Sequence, residues 1–457
     1  MSRTNCLQKD SRAKQFSGNK TKGIKKTSQL LFWVCLGLIL TTCQDKILER
    51  YKVSVPTYMS YEDLRAAVKK TSPQDLKNPG KIYFKDNYIF INEFFKGIHI
   101  IDNNNPASPQ EKAFIEIPGN VDIAIKENTL YADSYVDLVA IDISNMDNIK
   151  ETYRLQDVFP YTVPPKDVEL TNEPIDQTKG VVIKWEIKEI EKEVKEPQPY
   201  PYPYPWYYYN DYAFADLAKA PNSTSAGSSG STSGTTVGVG GSMARFAIKD
   251  NALYVLSPYY IKIIDITNVN QPITVGPAIS TQVIETIFLK DNYMYIGAQN
   301  GMSIYDISDI FKPAKVSTYT HITSCDPVVV EGDYAYVTLR AGQVCRNSFT
   351  NQLDVINIKD KANPLFVKSY GFTSPHGLGI DNGTLFVCDG DDGLKVYNAT
   401  DIYNITKNSL AHFKDIQATD VIPLNGVLFM IGKDGFYQYD YSNITNIRLL
   451  SKIEVKE

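Results

Sequence analysis

A chain that repeats one short pattern must fold as a set of like units stacked on each other, because no single copy can bury its own apolar face. Here the pattern is clearest at Lys290–Asp306, KDNYMYIGAQNGMSIYD. A turn-forming Asp-Asn pair precedes an alternating aromatic and aliphatic run, a polar Gln-Asn-Gly turn follows, and a second alternating run ends in Asp. This predicts two antiparallel strands joined by a hairpin. The other copies are Lys85–Asp102, Lys126–Asp142, Lys249–Asp265, Glu331–Asn357, Asp381–Asn398 and Asn425–Asp440. Their equivalent aromatics are Phe90, Tyr131, Tyr254, Tyr295, Tyr336, Phe386 and Phe429, spaced by 41, 123, 41, 41, 50 and 43 residues.

A period near 41 with room for four strands per copy is that of a propeller blade. After the closing Asp or Asn, the copies run through turns such as Asn105-Pro106 and Lys312-Pro313 into another apolar run, Ala113–Ile117 or Val316–Tyr319, read as the outer strand. The expectation is an all-β fold: a seven-bladed β-propeller over 81–457, blades of about 41–50 residues, closed without strand exchange. One aromatic per second strand would fill the wedge between blades. The 31 Tyr and 19 Phe, with little helical periodicity, agree with it. Before the first blade, Met59–Lys70 reads as a short helix with Ser60 as N-cap and Asp63 closing a capping box, a packing strap.

The 123-residue spacing between the second and third aromatics, 82 more than one period of 41, leaves an insertion within 154–243. It holds the charged run Glu186–Glu196, the tract Pro197–Tyr209 (PQPYPYPYPWYYY), and Ser/Gly/Thr-rich Asn222–Ser242, read from its composition as a flexible linker. The proline-aromatic tract can present rings on a stiff extended segment, as a platform for a peptide or glycan, or strap onto the propeller as a lid.

Residues 1–42 carry eight Lys or Arg against one acid, followed by an apolar run from Leu30 to Leu40, shorter than the roughly 20 residues needed to span a bilayer. This predicts an export signal over 1–42. Leu40-Thr41-Thr42-Cys43 resembles a bacterial lipobox, so Cys43 is expected to be acylated and to open a tether over 43–80. Gln44 points to an outer-membrane lipoprotein, on the periplasmic side or cell surface. Losing eight bases and one acid takes the formal charge from −5 to −12, against nucleic acid as partner. Cys325 and Cys345 fall at the start and in the long loop of the same blade and are expected to form a disulfide; Cys388, on a second strand, is expected to be buried.

Residues nine or ten before each blade aromatic open the inner strand at the channel mouth: Lys81, Asp122, Arg245, Glu285, Asp326, His376 and Asp420. Two readings stand. The ring caps strands and pairs with itself, or it holds a polar ligand or cation through Asp122, Glu285, Asp326 and Asp420, with Arg245 and His376 selecting an anionic group. No Cys/His cluster has metal-site spacing, and no cofactor is expected, calcium being the one candidate. Asp389–Gly393, an Asp-Gly-Asp-Asp-Gly run, lacks the ligand spacing of an EF-hand loop and sits where a hairpin turn is needed.

The elements GIHIID, LVAID, IKIID and MSIYD, with ISNM or ITNVNQP behind them, resemble LVIVD-repeat proteins. GIHIIDNNNPASP, FIEIPGNVDIAIKENTLYADSYVDLVAIDIS and SCDPVVVEGDYAYVTLR resemble LVIVD-repeat lipoproteins of the Bacteroidetes type. The resemblance implies the propeller and the address; the family has no assigned activity. The function expected is a lipid-anchored extracytoplasmic module that binds or scaffolds a protein, peptide or glycan through the insertion-bearing face. The alternative is a propeller hydrolase or lyase acting on a sugar or small metabolite at the channel mouth, with calcium as candidate cofactor.

Overall fold

The computed structural model describes residues 48–168, 170–193, 225–226, 237–242, 244–320, 327–341 and 350–456. Two compact units divide the chain. One comprises Met1–Tyr51 with Ile190–Pro201, whose described residues belong to two paired strands; the other, Lys52–Glu189 with Tyr202–Glu457, contains the propeller.

Seven antiparallel four-stranded blades span 79–116, 123–155, 246–280, 284–320, 328–371, 378–413 and 418–454, each built from consecutive strands. The final strand, Arg448–Glu454, pairs with its own blade, so the ring closes without strand exchange, as expected. All seven repeat aromatics are buried, none more than 3% exposed. Each sits in a second strand and fills the wedge between neighbouring sheets, where removal would leave a cavity in a surface no other element can cover.

The repeated polar residues form a sevenfold turn system. The closing Asp102, Asp142, Asp265, Asp306, Asn357, Asn398 and Asp440 each accept from the backbone N–H two residues on, at 2.7–3.0 Å. Three residues further, a second Asn or Asp does the same: Asn105, Asn145, Asn268, Asp309, Asp360, Asp401 and Asn443. These side chains satisfy loop amides that no strand partner reaches. The residue following each closing position donates its N–H to a carbonyl in the turn between strands one and two, as Ile307 does to Asn292 at 2.8 Å. In all seven blades the outer strand then slips register once against the third, a bulge that adds twist.

The predicted helix is Tyr61–Ala66, with Ser60 Oγ accepting from Asp63 N at 3.0 Å and donating to Asp63 Oδ2 at 2.7 Å. Two strands beside it, Leu48–Met59 and Lys69–Thr71, were not expected. The second adds an extra edge to the outer strand of blade one; the first pairs with Val181–Glu193 of the insertion. Leu64, Tyr135, Val136 and Val181 make a small satellite core from the helix, blade two and the insertion stem.

The larger correction concerns Asn222–Ser242. Its end is not a linker: Val239–Ser242 is a strand paired antiparallel with the inner strand of blade one, Val239 opposite Phe84 and Gly240 opposite Tyr83. Ser225–Ala226 pairs back onto Ser242 and Gly241. Low side-chain bulk, which suggests flexibility in isolation, is here what lets a backbone fit inside a propeller channel.

In the hairpin of blade four, Gly301 has φ +151°, and a Cβ there would lie 2.1 Å from the Tyr319 carbonyl oxygen. Gly301→Ala should lower unfolding free energy in urea by on the order of 1–3 kcal/mol. Gly332, in the left-handed turn of blade five with nothing near its missing Cβ, should accept Asn at a cost within about 1 kcal/mol.

Candidate functional site

Alternation of strand direction places the start of every inner strand on one face, the upper face, together with the turns between strands two and three. Lys81, Asp122, Arg245, Glu285, His376 and Asp420 all lie there and are all buried; Asp326, Cys325, Cys345 and Cys43 lie outside the described residues.

Over blades one to three the ring is a compact charge cluster. Lys81 Nζ donates to Asp122 Oδ2 at 2.6 Å, and Arg245 N donates to the same oxygen at 2.5 Å. Asp133, at the end of the second strand of blade two, accepts from Val121 N, Asp122 N and Asn120 Nδ2 at 2.7–3.0 Å through Oδ1. Arg245 reaches the Leu256 carbonyl at 2.9 Å. Burial depresses Lys81 and Arg245 and pushes Asp133 up to about 6, against the backbone N–H groups that favour its ionised form. Two bases and two acids thus tie successive blades together.

Carboxylates at the ends of second strands perform a related task elsewhere. Glu93 accepts from Lys77 N and Asn78 N, and Asp389 from Thr373 N and Ser374 N, so each receives the amides of the incoming inner strand. Asp389 also binds Lys395 at 2.5 Å, and Gly390 and Gly393 have positive φ, which makes the Asp-Gly-Asp-Asp-Gly run a turn held by its own lysine. Among the described residues no group of three His, Cys, Asp or Glu gathers as a metal site. His99, buried in blade one, meets Glu93 at 3.2 Å and the edge of Phe114.

Blades four to six present a different arc. Arg340, where the second strand of blade five ends, is half-buried and lies within the field of Glu285. His376 is 4% exposed; its Nδ1–H donates to the Ser374 carbonyl at 2.6 Å, and its Nε2 has no partner among the described residues. Burial first, then Arg340, pushes its pKa down to about 3, so it stands neutral with its Nε2 lone pair free.

The channel itself is occupied by the chain. Gly238 N donates to the Ile125 carbonyl at 2.9 Å near the lower face, and Ser242 sits at the upper mouth. Ser242 donates through Oγ to Asp420 Oδ1 at 2.9 Å and accepts there from Leu378 N at 2.8 Å. One serine therefore joins blades six and seven. Six of the seven expected positions lie at described inner-strand starts; Lys81, Asp122 and Arg245 are tied to one another, and Asp420 is met by Ser242 from within the channel. Counting to second-strand ends would have found Asp133, Asp389 and Arg340; nothing local marked Ser242.

The family description for the LVIVD repeat matches 80–115, 119–155, 285–321 and 324–371, which are blades one, two, four and five. The chain is similar in fold to the periplasmic gluconolactonase of Pseudomonas aeruginosa, at 9% identity and TM-score 0.50, covering 82% of this chain and 96% of that one. It is also similar to BamB from Moraxella catarrhalis, at 8% identity and TM-score 0.44, covering 86% and 97%. Sqt1 of Saccharomyces cerevisiae gives 8%, 0.45, 88% and 89%. No curated protein matches the sequence. At 9% identity the first of these likenesses shows the fold alone.

The two buried groups predict opposite pH slopes. Asp133, raised from 3.8 to about 6, contributes stability that is complete below its unfolded pKa and lost as pH rises through 6. His376, lowered from 6.5 to about 3, contributes stability that is complete above 6.5 and lost as pH falls toward 3. In urea titrations between pH 4 and 7, Asp133→Asn should steepen the rise of stability with pH, by on the order of 2–3 kcal/mol over the range, and His376→Gln should flatten it.

Proposed function

We propose that this protein is a lipid-anchored extracytoplasmic propeller that binds or scaffolds a protein, peptide or glycan through its upper, insertion-bearing face. The observation that carries the reading is the closed channel. A strand of the chain itself fills it, and the charges over blades one to three are spent on each other. The stem of the insertion is anchored on the satellite core, of which Val181 is a member. Tyr161 Oη holds the stem by donating to the Gly180 carbonyl and accepting from Val182 N, and Trp185 Nε1 donates to the Pro164 carbonyl at 2.8 Å. A fixed stem followed in sequence by a proline-aromatic tract suits capture of a partner more than enclosure of a small substrate.

Replacing Pro197–Tyr209 by a Gly/Ser segment of equal length should abolish specific crosslinks to envelope partners while leaving the thermal midpoint unchanged. Retention of every crosslink refutes the reading. The proposed address, an outer-membrane lipoprotein, rests on the leader and Cys43. A labelled fatty acid should be incorporated into the wild type and absent from Cys43→Ala, and the Cys325–Cys345 bridge should leave only Cys388 titratable as a thiol in the acylated protein.

His376 favours one second reading. A neutral imidazole with a buried, unpartnered Nε2 beside Arg340 and Glu285 is suited to accept a hydroxyl from a sugar or small metabolite, the starting point for hydrolase or lyase chemistry at the mouth. Binding of such a ligand that disappears in His376→Leu, at unchanged thermal midpoint, would select this reading over the first.

A further inference from the structure

We propose that the central channel is a binding site for an extended, small-residue peptide strand, that its occupant is this chain's own Val237–Ser242, and that the occupant clasps the ring where it closes. The inference shares with the proposed function the strand seated in the channel, but its test reads the channel and the closure of the ring, not binding at the upper face.

Inner strands of a propeller turn an unpaired backbone edge toward the channel, a template for another strand. Only small side chains leave room to use it. Val239 and Gly240 pair with the inner strand of blade one, running from the lower to the upper face. Their neighbours are read individually. Val239 packs on the apolar cluster of blades seven and one, with Ile422 and Phe429, and Val237 packs on that of blades one and two. Between them Gly238 admits no side chain, since a Cβ would lie 2.4 Å from the Tyr83 ring. Ser242, fully buried, then meets Asp420 and Leu378 N.

The site thus selects apolar, glycine, apolar and, at the mouth, serine. The strand also approaches the inner strand of blade four, but its hydrogen bonds fall on blades one, two, six and seven, which flank the junction between the first and last blades. Among the described residues no blade strand crosses that junction. Apart from the channel strand it is bridged by side-chain contacts such as Gln438 Nε2 to Asn103 Oδ1 at 2.8 Å, and by Lys456 N donating to the Leu76 carbonyl at 2.8 Å. A strand gripped by both ends of the ring does the work that strand exchange would otherwise do.

The test uses the full chain. The double variant Gly238→Val/Ser242→Ala, whose own strand no longer fits, should melt several degrees below the wild type. A fluorescein-labelled peptide of residues 235–244 should bind this variant and raise its melting temperature, should not bind the wild type, and should lose binding when it carries Gly238→Val. Equal melting temperatures with no peptide binding would overturn the proposal, and so would equal peptide binding by both proteins. Should the variant fail to fold, amide hydrogen exchange on the wild type decides. Protection of residues 237–242 matching the inner strands supports the site, and exchange as fast as a free linker overturns it. A dimeric wild type whose dissociation exposes the channel to the peptide would overturn the assignment to the chain's own strand in favour of a second copy.

Discussion

Each blade presents two apolar faces, and only its neighbours can cover them. Everything else in the protein follows from that requirement. A sheet such as blade four is covered on one side by blade three, against which Met294 and Ile296 pack, and on the other by blade five, against which Tyr295 is buried to 1% exposure. Stability is therefore collective, as in other repeat architectures, but here the array must also close on itself. An error in twist or register at any one blade would accumulate around the ring.

The polar repeat controls that error. The paired Asx turns, the amide donated from the start of one connection to the turn beside it, and the single bulge in every outer strand recur in all seven blades. Together they give each sheet the same twist, so the wedges have the same angle and equal aromatics fill them. The charge cluster of Lys81, Asp122, Asp133 and Arg245 acts between blades instead. Its isolated members would be costly to bury, but opposite charges and backbone amides meet within hydrogen-bonding distance, and the cost is offset only when successive blades are docked in the correct order.

Much of this was legible in the sequence because it is local. A turn aspartate acts on the amide two residues on, and alternation decides which side chains face a neighbouring sheet; the copies reinforce one another. The helix at Tyr61–Ala66 was visible for the same reason, since its cap spans three residues. What local reasoning could not reach was contact between distant segments. Asp133 and Arg340 stand at or just past the ends of second strands, at positions that look like ordinary loop starts, and their partners come from neighbouring segments. Ser242 is 178 residues from Asp420. A run of glycine, serine and threonine carries no sign of whether it lies in water or inside a channel, because the absence of bulk that makes it flexible is also what lets it fit.

By itself the sequence determined the number of blades, the strands within them, the turn chemistry and the placement of a ring of charged residues at the inner-strand starts. These depend on periodicity and on interactions within a few residues. The tertiary structure alone decided which of those charges neutralise each other, that His376 stands with an unpartnered nitrogen beside Arg340, and that the channel is closed by the chain's own backbone. Those outcomes are set by distances between segments that come together only when seven wedges complete a circle.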